Sequence, residues 1–132
     1  MPMANPNIVS VSSIKGESMG IALTTTVGTD IMTVASDKLV KINYIQVAND
    51  HATAATNVTV AINKQDFTSD GIQSDEDSAA VIFLASTINL PSDDILVIVD
   101  KPIYLMEGDV LEAGANPATA DIFISYEVID DA

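Results

Sequence analysis

Residues 93–129 constrain the fold of this chain more than any other stretch. Short apolar runs alternate there with turn residues, and no run is long enough for a helix of more than a turn or two. Ile95 to Val99 is an unbroken β-branched and leucine run, closed by Asp94 and Asp100. Pro102 restarts the chain, and Ile103-Tyr104-Leu105 reads as a second, short strand. Glu107-Gly108-Asp109 is a tight-turn signal, because glycine tolerates the positive φ such turns require. Val110 and Leu111 open a third strand, and Asn116-Pro117 marks the next reversal. In the last strand Ile122, Ile124, Tyr126 and Val128 share one face, while Asp121, Phe123, Ser125 and Glu127 share the other. Strands and turns at this spacing predict an antiparallel sandwich or barrel.

The same rhythm runs upstream. Ile21 and Leu23 mark a strand within residues 16–26, residues 31–35 are strand-like, and Ser36-Asp37-Lys38 turns the chain. Residues 39–48 form a strand with Ile42, Tyr44 and Gln46 expected on one face, and Lys41, Asn43, Ile45 and Val47 on the other. Val58, Val60 and Ile62 alternate with Thr59 and Ala61. Residues 81–85 and 95–99 do not alternate, so both are expected to be central strands covered on both faces. One face would meet the core, the other a neighbouring subunit or the N-terminal arm. The expected fold is all-β: a single-domain antiparallel β-sandwich, jelly-roll-like, of roughly eight strands. Residues 1–15 are expected to form an extended N-terminal arm and residues 16–132 the sandwich. The expected core holds Ile42, Tyr44, Val60, Ile82, Leu84, Val97, Leu111, Ile122 and Ile124.

Charge and composition narrow the function. The 132 residues make one domain able to bury roughly two-thirds of its unfolded surface without metal or disulfide. Cysteine is absent, which excludes thiol catalysis and thiolate metal sites. Five Lys and Arg against nineteen Asp and Glu give a net charge of -14. Such a surface repels phosphate, so neither nucleic acid nor anionic membrane is an expected partner. No apolar run is long enough to span a bilayer, and no secretory leader is evident. Yet 48% of the residues are hydrophobic, with no Trp. A chain this acidic and this apolar is expected to bury surface between subunits, as a homo-oligomer or a docked subunit.

Candidate sites are few. In the long polar stretch 64–79, Asp66, Thr68, Asp70, Ser74 and Asp77 fall at positions one, three, five, nine and twelve of a calcium loop, with Gly71 at six. The spacing would place several hard oxygens on one curved backbone. Against it, Thr68 replaces an acid or amide, Asp77 is shorter than the usual Glu, and no helices flank the loop. A solvated acidic loop is the alternative, and no other cofactor is expected. His51, the single histidine, sits in a polar loop without a nucleophile-positioning motif. Asn57-Val58-Thr59 matches a glycosylation sequon by chance composition. In the N-terminal segment Pro2 and Pro6 block a full ladder, leaving Met1, Met3 and Ile8 as apolar anchors for a partner subunit. No constellation spells out a reaction, so no enzymatic activity is expected.

One stretch resembles a known group. Lys101 to Leu111, K-P-I-Y-L-M-E-G-D-V-L, followed by I-S-Y-E-V-I at 124–129, looks like the C-terminal half of small all-β virion proteins of tailed bacteriophages. In that group a P-x-Y-L-x-E-G-D-x-L turn precedes a closing V-S-Y-E strand. The likeness covers about the last forty residues. It implies a structural role in a virion assembled in the host cytoplasm, with the major capsid protein or other virion proteins as partners. A capsid decoration or cement protein is the preferred expectation. A neck or tail accessory, or a receptor- or carbohydrate-binding module of a tail fibre, is the alternative; the low aromatic content speaks against sugar stacking.

Overall fold

The computed structural model describes residues 11–64 and 80–131. Among them are nine strands and no helix: β1 (Val11–Ala22), β2 (Asp30–Thr33), β3 (Lys38–Asn49), β4 (Thr56–Lys64), β5 (Ala80–Leu90), β6 (Asp94–Val99), β7 (Ile103–Leu105), β8 (Val110–Asn116) and β9 (Ala120–Asp131). They form two antiparallel sheets. The first has the order β1-β9-β3-β6, with β7 also pairing β3; the second has the order β2-β8-β4-β5. With the three-residue β7 set aside, the eight remaining strands are arranged as two interlocked Greek keys, the jelly-roll order. The sequence expectation of an antiparallel sandwich is met, with nine strands rather than eight.

Side chains from the facing sheets fill the interior. Ile42, Ile45, Val47, Ile122 and Ile124 from the first sheet meet Val58, Val60 and Leu111 from the second, all essentially without solvent contact. Ile42, Val60, Leu111, Ile122 and Ile124 thus lie where the alternation placed them. β3 departs from simple alternation. Ile42 pairs with Tyr126 and Tyr44 with Ser125, so Asn43 is an extra residue in the ladder. This bulge reverses which face each later residue takes. Ile45 and Val47 therefore point inward after Ile42, while Tyr44 and Gln46 are only half-buried. Tyr44 is corrected from core to outer face for that reason.

A second correction concerns the two continuous apolar runs. Among the described strands β5 and β6 are not central: each is the last strand of its sheet. Ile82, Leu84 and Val97, expected in the core, are exposed. In a sandwich of two sheets only the inward face of a strand meets the other layer, and at the rim of a sheet even that cover is partial.

β1 is the opposite edge of the first sheet, pairing with β9 from Val11–Asp131 to Ala22–Asp121. Residues 11–15, assigned to the arm from sequence, therefore run in an edge strand. Met1, Met3 and Ile8 lie outside the described residues, as do Asp66, Thr68, Asp70 and Asp77 of the proposed calcium loop.

Candidate functional site

The turn that carries the family resemblance joins β7 to β8. Gly108 has φ 84°, a conformation that a side chain would strain. Its N–H donates to Val34 O at 2.9 Å, and the N–H of Val34 donates back to Asp109 O at 3.0 Å. The Asp109 side chain is wholly buried. Its Oδ2 accepts from the Met106 N–H at 2.8 Å and from Lys64 Nζ at 2.6 Å. Glu107 Oε1 accepts from the Asp37 N–H at 2.9 Å, linking this turn to the β2–β3 turn. Both acids are thus engaged in holding backbone. The Lys64–Asp109 pair ties β4 to the turn across 45 residues of chain, and nothing in the sequence periodicity foreshadows it.

The other polar groups have similar employment. The Asn49 amide donates to Ala54 O, Leu90 O and Pro91 O, and its Oδ1 accepts from the His51 N–H and the Thr119 hydroxyl. It thereby gathers three loops at one end of the sandwich. His51 Nδ1 accepts from the N–H groups of Thr53 and Ala54, capping its own loop. One ring nitrogen of His51 is thus occupied by its own loop. A cleft of about 210 Å³ opens between the sheets beside β1 and β2, lined by Glu17, Met32, Lys38 and Tyr126. Burial, and then the charge of Glu17, push the Tyr126 phenol up, so it stays neutral there. Lys38 is paired with Asp130 at 2.7 Å.

Asp30 and Glu112 face each other on β2 and β8. Burial raises the Glu112 carboxyl above its ordinary range, helped by the charge of Asp30 and a hydrogen bond between the two side chains. Two carboxyls make a weak cation site. Among the described residues no group of three or more His, Asp or Glu is placed to hold a metal.

The surface that stands out is apolar. β5 has no charged residue in eleven, in a chain with 24 charged residues in 132 (5 basic plus 19 acidic). Val81, Ile82, Phe83 and Leu84 are all exposed, Phe83 by 54% and Ile82 by 47%. Two extra residues in β5 disturb its pairing with β4. Leu84 lies between the pairs Ala61–Phe83 and Val60–Ala85, and a second bulge lies between Ala85 and Ile88. Thr87 takes φ 51° there, its N–H held by Thr59 Oγ1 at 3.0 Å.

β6 carries only Asp94, and Ile95 and Val97 point outward. Val97, Gln46, Phe123 and Gly20 lie in one row across the outer face of the first sheet; Ile95, Ala48, Asp121 and Ala22 lie in the next. Small residues floor an open depression of about 400 Å³ there, with Phe123 standing at its side. Reading the alternation alone missed this patch. Its one sequence signal was an aromatic residue among Asp121, Ser125 and Glu127 on the solvent face of β9.

No protein-family model, no curated protein and no solved structure matches this chain.

Proposed function

We propose that this chain is a structural protein of a tailed-phage virion that binds other virion proteins, as a capsid decoration or cement protein. The observation that carries the reading is a pair of exposed apolar strands, β5 with no charged residue and β6 with only Asp94, on an otherwise strongly acidic domain. Contiguous exposed apolar surface on a soluble domain marks a protein interaction site. The resemblance of residues 101–111 and 124–129 to phage virion proteins supplies the context. In this chain those residues form the β7–β8 turn and strand β9, and the motif's Gly108 and Asp109 act as backbone anchors. A motif built only from fold-determining residues suits a protein whose task is to be a rigid part.

A clip of this kind acts through mass action. It binds the assembled shell and not the separated subunits, so each bound copy stabilises the assembly against the outward push of packaged DNA. The acidic surface suits a position away from that DNA. Rigidity helps, since little freedom is lost when a preformed edge docks.

Mass spectrometry of purified virions, with a density map to place the protein, tests this reading. The expected result is a stoichiometric component on the outside of the capsid. Localisation to the tail tip would favour the receptor-binding alternative, and absence from virions would end the proposal.

A further inference from the structure

We infer that the depression on the outer face of the first sheet receives a basic segment of a partner protein, with an arginine side chain stacked on Phe123 and paired with Asp121. The inference rests on reading this chain as one that binds other virion proteins, and it names the chemistry of one such partner.

Asp121 and Phe123 lie two residues apart on β9, so both stand on the outer face of the sheet. Gly20 and Ala22 flank them on β1, and Gln46 and Ala48 on β3, so the floor between is made of small residues. An arginine suits this set in each of its parts. Its aliphatic stem lies along the small floor, its guanidinium plane stacks on the aromatic ring, and its fork meets the carboxylate. Gly20 keeps that side of the ring uncovered. The fold does not demand a glycine at this position, because an added Cβ would meet only Ile122 O at 3.7 Å and Phe123 Cδ1 at 4.0 Å, which are ordinary contacts. A glycine inside a strand with room for a side chain suits close approach by another group.

Charge selects a cation as the occupant. Asp50, Asp93, Asp94 and Asp121 gather at this end of the sheet, all exposed, and among the described residues none has an ion pair. Lys38 and Lys41 lie toward the opposite end of β3 and are already paired with Asp130 and Glu127. Lys15 lies toward that same far end, on β1. The apolar floor therefore holds a stem, and the carboxylate at its edge sets the charge at the tip.

The depression is open among the described residues. Residues 1–10 and 65–79 join the described chain at the other end of the sandwich, at Val11, Lys64 and Ala80. Gly20 lies nine residues beyond Val11, roughly 30 Å along β1. Ten residues span at most roughly 33–36 Å, so the first segment reaches the depression only by retracing β1 in full extension. The second joins the other sheet at both its ends and would have to round the rim of the sandwich.

Chemical-shift titration of the isotope-labelled full chain with N-acetyl-arginine methylamide, at physiological salt, tests the site. The expected result is saturable shifts confined to the amides around Gly20, Gln46, Ala48, Asp121 and Phe123, with dissociation on the order of 1–10 mM. The uncharged norleucine analogue should bind more weakly by about threefold or more. Asp121→Asn removes the carboxylate and Gly20→Leu fills the depression; each should weaken arginine binding by about threefold or more, with the thermal melt retained. Glu17→Gln removes one exposed charge elsewhere on β1 and should leave binding unchanged. No shift at these residues, equal binding of the norleucine analogue, or equal weakening by Glu17→Gln would each overturn the inference. Arginine binding here in a chain absent from virions would end the functional reading and leave the site standing; a virion component that binds no arginine here would do the reverse.

Discussion

At the scale of single residues, the acids of this chain divide into those that hold backbone and those that merely charge the surface. Asp109 is the clearest of the first kind. Its carboxylate is buried, and its contacts with the Met106 N–H and Lys64 Nζ fix the turn from β7 into β8. Asp109→Ala leaves the Met106 N–H and the Lys64 ammonium without that partner, and chemical denaturation should show a loss of about 2–4 kcal/mol. Asp109→Asn, which keeps the acceptor to Met106 but not the charge, should lose less. Glu112 behaves in the opposite sense. Its folded-state pKa is raised by burial and by Asp30, so folding favours its protonated form. That contribution is fully present below the ordinary glutamate range, near 4.5, and is lost as pH rises through the raised value. Glu112→Gln should therefore melt higher than the native chain at pH 7, and the difference should vanish in melts taken well below 4.5. The turn role of Gly108 and Asp109 was legible in the sequence, because a glycine between two acids interrupts the apolar runs on either side and accepts the positive φ of a tight turn. The partner Lys64 was not, because a contact across 45 residues leaves no local trace.

At the scale of strands, local pattern predicted where each element lies but not which of its sides is covered. Alternation located β3, β4 and β9, and it assigned Ile122 and Ile124 to the core correctly. It failed at Asn43, since one extra residue in the ladder inverts every assignment beyond it. It failed again for β5 and β6, whose apolar runs looked like buried strands and are sheet edges. Position within a sheet is a property of the whole topology, which no window of eleven residues contains. The contrast can be measured. Ile124→Ala removes a side chain with no solvent contact and should cost about 2–5 kcal/mol in denaturant unfolding. Ile82→Ala, at the exposed edge, should cost about 1 kcal/mol or less. Gly114 offers a sharper case on β8. A Cβ there would lie 2.7 Å from Val27 Cα and 2.8 Å from Thr26 O, so the backbone of the β1–β2 loop must move. Gly114→Ala should cost about 1–3 kcal/mol by overpacking. Gly16, with nothing within 4 Å of such an atom, should accept alanine with little change in the melt.

At the scale of the whole molecule, charge and edge oppose each other. The domain leaves long apolar strands at the rim of both sheets, and such rims pair with whatever strand reaches them. The net charge of -14 opposes such pairing between copies of this chain. Two consequences follow from screening and from neutralisation. Added salt shortens the reach of the repulsion, so self-association of the native chain in light scattering should increase from low to high ionic strength. Lowering the pH toward the sequence isoelectric point near 4.1 removes the repulsion altogether. Then the exposed apolar residues of β5 and β6 and the Phe123 face are no longer protected, and copies can associate into open-ended assemblies. Light scattering near that pH should rise with time in the native chain. It should rise more slowly in Ile82→Ser/Phe83→Ser, which interrupts the apolar run of β5 without adding charge. If both chains stay clear near their isoelectric point, the edges are already covered within one molecule and charge is not what keeps the copies apart. If both cloud at the same rate, the association runs through another surface, and the outer face around Phe123 becomes the first place to mutate.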